Sequence, residues 1–85
     1  SMKYDIALFL IENKEKEGIE ILIGLLKDKK YLREAESWLE GMTGQKFGGI
    51  PPVVNKKMLE EYTKKWESWW EKNKDTFQFP KQDKQ

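Results

Sequence analysis

Residues 7–28 read ALFLIENKEKEGIEILIGLLKD, two apolar runs joined by a charged turn. The first run extends back to Ile6 and is apolar almost all round. Wound as a helix, only Asp5 and Glu12 share a polar stripe. A short buried strand is the rival reading, since periodicity alone cannot arbitrate a continuous apolar run. Helix is preferred because no second run alternates at the strand period to pair with it. The first helix is therefore expected over about residues 4–13, with Asn13 suited to a left-handed cap position. The turn Glu15-Lys16-Glu17-Gly18 leads into a second helix over about residues 17–28. Acidic residues in its first turn complement the helix dipole. Ile19, Leu22, Ile23 and Leu26 recur at i, i+3, i+4, i+7 and make one apolar face. Ile21 and Leu25 lie one turn apart on a different side. The second helix thus calls for burial from two directions.

Outward from this pair the same period continues. Tyr31, Leu32, Ala35, Trp38, Leu39 and Met42 form one stripe of a helix over about residues 30–42. Arg33, Glu34, Glu36, Ser37 and Glu40 take its other side. Residues 43–55 form a loop with Gly44, Gly48, Gly49, Pro51 and Pro52. Gly44 can end the helix in the left-handed conformation that other residues resist. Phe47, Ile50, Val53 and Val54 draw the loop against the body. Asn55 is the expected N-cap of a last helix over residues 56–73. Met58, Leu59, Tyr62, Trp66, Trp69 and Trp70 line one face of it. Residues 1–3 read as a cloning remnant and disordered start, 4–73 as one helical domain, and 74–85 as a tail disordered toward its end.

Composition narrows the function. The chain has 85 residues, no Cys and no His, and a formal net charge of +1. Without Cys there is no disulfide framework and no thiolate metal site. Without His the commonest general base and metal ligand is gone. No apolar run approaches the roughly 20 residues that span a bilayer. Absence of Cys favours a reducing cytoplasm as the compartment. The 11 aromatics can offset part of what small size denies the core. Glu34, Glu36 and Glu40 fall on the outward side of the third helix, where burial cannot shift a pKa. No catalytic constellation can be assembled, and neither an enzyme nor a cofactor is expected.

Three features together carry a resemblance. They are the helix–turn–helix cadence of residues 7–28, the Ala-centred helix YLREAESWLEGMTG, and the ending TGQKFG…KKWESWWEKNK. They resemble the terminal portion of HEAT-like (bilin-lyase-type) helical repeats. Such repeats often close with a Thr-Gly-x-x-Phe-Gly turn followed by a Trp-x-x-Trp-Trp helix. The matching residues here are Thr43, Gly44, Phe47, Gly48, Trp66, Trp69 and Trp70. The resemblance implies an all-α fold: about four helices in a short antiparallel stack with a Trp-rich C-terminal capping helix. It also implies a scaffold role. Stacks of this kind usually need three or more repeats, and this chain has one full pair with a helix on each side.

The expected function is accordingly a non-catalytic protein–protein interaction or self-assembly module. Its edge is the far side of the first helix together with the second, represented by Leu10, Ile21 and Leu25. The partner would be a protein or a second copy, with no membrane and nucleic acid disfavoured. The alternative is a small-ligand or single-stranded nucleic-acid module on Lys64, Lys65, Trp66 and Trp70. It uses aromatic stacking beside positive charge, with Trp66 and Trp70 as the exposed rings; the preferred reading makes the aromatic stripe core, a cap sealing the helical stack with Trp69 and Tyr62 inward. Glu60, Glu61, Glu67 and Glu71 interrupt the lysines and weaken that alternative.

Overall fold

A computed structural model describes residues 1–81. The fold is all-α, with α1 (Met2–Glu12), α2 (Glu17–Leu25), α3 (Leu32–Thr43) and α4 (Lys56–Asn73) in chain order. The expected disorder at the end of the tail concerns residues 82–85, outside the described residues. The start differs from expectation: Met2 and Lys3 belong to α1, and the Ser1 ammonium donates to the Tyr31 hydroxyl.

Helix α2 is the centre. It packs on α1, α3 and α4, while those three do not bring their backbones together. Ile19, Leu22 and Leu26 are fully enclosed, and Ile23 and Leu25 nearly so. This is the two-sided burial its sequence asks for. The α1–α2 pair approaches closely at Gly18. A Cβ there would stand 2.9 Å from the Ala7 carbonyl oxygen and 3.0 Å from the Ile11 side chain. Glycine therefore sets the spacing of the α1–α2 hairpin. Helix α2 is shorter than its apolar pattern because its last turn tightens. The N–H groups of Leu26, Lys27 and Asp28 bond three residues back, as helix ends often do.

The turn between α1 and α2 corrects one expectation. Asn13 is not left-handed; its φ is −93°, and its side chain donates to the Phe9 carbonyl instead. Lys14 takes the left-handed position at φ 58°. The N–H groups of Lys14 and Glu15 then reach the carbonyls of Ile11 and Leu10, which completes a Schellman motif.

Gly44, at φ 74°, ends α3 as expected. The Thr43 hydroxyl donates to the Leu39 carbonyl and accepts from the Gln45 N–H. The loop then turns back over α4. Arg33, the one arginine of the chain, holds it there by donating to the carbonyls of Ile50 and Pro51. Asn55 caps α4, accepting from the Met58 N–H at 2.8 Å. Phe47 lands edge-on against Trp66, ring centroids 5.0 Å apart. The glycine turn and the Trp helix, distant in sequence, are thus one packed unit.

Candidate interaction edge

Helix α1 has one helical neighbour, α2, and so one buried face, made by Ala7 and Ile11 with Tyr4 half-buried beside them. Tyr4 stacks on Tyr31 and its hydroxyl accepts from Trp38 Nε1, tying α1 to α3 through side chains. The opposite face is open. Met2 is 79%, Phe9 63% and Ile6 45% exposed. Their 4–3 spacing, continued by Asn13, is a heptad-like stripe along the helix. Asp5 and Glu12 flank that stripe on one side.

The expected edge residues fall out unevenly. Leu25 is buried in the core and is not an edge residue, because the second side of α2 is largely taken up by α1. Ile21 is half-buried and, with Lys3 and Gly24, lines a shallow depression of about 270 Å³ that reaches Leu25. Leu10 is half-buried on the flank of α1. Met2, Ile6 and Phe9 carry the exposed surface. Sequence reasoning placed them only as the far side of the first helix, although their 4–3 spacing was the available signal.

The aromatic and basic face of α4 is corrected more sharply. Trp66 is fully buried and Trp70 is 5% exposed, so neither ring can stack on a ligand. Trp69 and Tyr62 are the half-buried pair. The buried line of α4 runs through Leu59, Thr63, Trp66 and Trp70. In the fold Met58 faces solvent, and Thr63 is enclosed with its hydroxyl donating to the Leu59 carbonyl at 2.7 Å. Phe47 covers the Trp66 edge and Phe77 covers Trp70. Trp70 Nε1 donates to Glu20 at 3.1 Å, joining α4 to α2. Lys64 and Lys65 are exposed as expected.

The Glu36 carboxylate is not outward either. It is half-buried and accepts from the Tyr62 hydroxyl at 2.9 Å. Burial, reinforced by that carboxylate, pushes the Tyr62 phenol up to about 12. The Trp66 N–H opposes the shift as a donor toward the phenol oxygen. Trp66 Nε1 is itself buried without a hydrogen-bond partner. Beside Tyr62, a half-open depression of about 220 Å³ lies between the loop and α4, lined by Ile50, Val54, Met58, Glu61 and Lys65 among others.

No family model matches this chain, and no match was found among curated proteins or solved structures. The site is therefore read from its own geometry. Among the described residues no group of three or more acidic side chains converges where a metal ion could sit. No helix among them is long and apolar enough to cross a membrane.

Proposed function

We propose that the chain is a non-catalytic protein–protein interaction module of the helical-repeat type, and that its α1 edge seats against another helical unit. The observation that carries this reading is the open stripe Met2, Ile6 and Phe9 on a helix with a single helical neighbour. A helix apolar on both sides calls for cover on both, and α1 has a helix packed on one side. Contiguous apolar patches on a small domain generally mark interfaces.

A second copy supplies a matching surface. The remaining large exposed apolar side chains, Val53 and Met58, sit on the loop and the start of α4. The depression beside Met58 is lined by both Lys65 and Glu61, which balance in charge, so the match with α1 is apolar. Seating one copy's α1 on the next copy's α4 side makes a head-to-tail contact. The ligand- or nucleic-acid reading of Lys64 and Lys65 loses its stacking rings with the burial of Trp66 and Trp70.

Sedimentation equilibrium over a wide concentration range tests the proposal. Wild-type chain should associate reversibly. Phe9→Glu and Met58→Glu should each be monomeric alone, yet form a discrete heterodimer when mixed, because each keeps the surface the other has lost. A strictly monomeric wild-type chain at the highest concentration would defeat self-assembly. Association that survives Phe9→Glu would defeat the α1 edge.

A further inference from the structure

A second apolar surface of this fold is already occupied by the chain itself. Helices α1 and α3 both pack on α2, and their backbones stay apart. The cleft between them is closed by residues beyond α4. At the end of α4 the Lys74 carbonyl accepts from Lys16 Nζ, which fixes the point of departure. Phe77 then packs edge-on against Trp70 with centroids 5.3 Å apart, and Phe79 against Phe77 at 5.0 Å. Phe79 and Pro80 reach the cleft and face Leu8, Ile11, Trp38 and Met42.

Two features separate this segment from an ordinary structural strap. Its last main-chain hydrogen bond runs from the Phe77 N–H to the Asn73 carbonyl. Among the described residues none is formed by Gln78 to Lys81, so the segment is held by side-chain packing alone. The cleft is also not sealed by its occupant: a depression of about 190 Å³, open to solvent, remains where Phe79 and Pro80 meet α1 and α3. A proline fixes one backbone angle and favours extended conformation before it, which suits a segment lying in a groove.

We propose that the α1–α3 cleft is a docking groove for an extended peptide carrying a Phe-Pro pair, and that Phe79 and Pro80 are its displaceable resident. The groove recognises one aromatic ring and a proline by shape and apolar contact, while Phe77 stays on Trp70. A peptide presented in trans competes with the tail. Covalent attachment gives the tail a high effective concentration, so the intact chain binds such a peptide weakly until the tail is disengaged. The device is an autoinhibitory contact, on a different face of α1 from Met2, Ile6 and Phe9.

The test uses the full chain carrying Phe79→Ser, and a fluorescent peptide of residues 74–81 read by anisotropy. The opened chain should bind the peptide at least ~10-fold more tightly than wild type, because the competent state is no longer masked. A peptide carrying the same Phe79→Ser change should bind neither. Equal binding by both chains, or none by an opened chain of native helicity, would overturn the proposal. A second measurement covers the case in which Phe79→Ser fails to fold. A nitroxide placed at exposed Gln78 through Gln78→Cys should gain mobility as excess peptide is added. No change at saturating peptide would equally overturn it.

Discussion

Trp66 and Phe9 are both large rings on helices, and the fold treats them oppositely. Trp66 is fully enclosed, while Phe9 is 63% exposed. The difference lies in the segments that flank each helix along the chain. Around α4, the loop before it folds back to place Phe47 on Trp66, and the segment after it places Phe77 on Trp70. Helix α1 has no such flanking segment on its outer side among the described residues. One end of the molecule is finished by its own connections, and the other is left as a surface.

The sharpest way to break this contrast is at Trp66. Trp66→Ala should cost about 3–5 kcal/mol, the range for removing a buried aromatic ring, read by urea denaturation followed by circular dichroism. A loss below about 1 kcal/mol would mean that the Trp cluster is not the sealed end. Next in size is the α1–α2 contact. Gly18→Ala gains helix propensity of at most about 1 kcal/mol, less in a first turn. It must also fit a methyl group 2.9 Å from a backbone oxygen, and overpacking of that kind costs about 1–3 kcal/mol. Net destabilisation is expected. Gly41→Ala, where an added methyl meets nothing within 4 Å, should instead stabilise by about 0.5–1 kcal/mol. Equal effects at the two glycines would remove the argument that Gly18 sets the hairpin spacing.

Much of this was readable from the sequence where a local rule had one answer. Asn55 caps α4, and Gly44 ends α3 in the left-handed region, because few residues serve those positions. The two apolar sides of α2 gave its central place, since a helix apolar on both sides must be covered on both. What failed was the depth of particular side chains. A helical wheel ranks faces by composition, and it cannot know that Phe47 and Phe77 will return from loops to cover Trp66 and Trp70. Thr63 reads as polar, yet its hydroxyl is satisfied within its own helix and it buries without penalty. Leu25 looked surplus because the closeness allowed by Gly18 was invisible at the level of pattern. The outer stripe of α1 was legible as a leftover side, though not by residue.

The Tyr62–Glu36 bond between α4 and α3 gives a smaller effect with a pH signature. The phenol titrates near 12 in the fold against about 10 in an unfolded chain. A raised folded pKa in an acid means the unfolded chain gives up its proton first. The contribution is therefore whole below about pH 10 and declines between about 10 and 12. Tyr62→Phe should cost about 1 kcal/mol near neutrality and flatten the alkaline part of the stability curve. A curve with unchanged slope above pH 10 would mean that the hydroxyl does not hold the two helices together.

Phe9→Ala should have the smallest effect on the isolated chain, within about 0.5 kcal/mol. The ring is mostly in water, so its removal takes little apolar area out of the core. Burial against a partner is where it would count: covering a Phe side chain fully stabilises by about 1.5–3 kcal/mol. The same substitution is thus expected to be nearly silent in a denaturation curve and plain in an association isotherm. A surface ring kept only by chance would be silent in both. A ring that props α1 against α2 would instead show in the denaturation curve of the monomer, and the open end of the molecule would then be part of its own core.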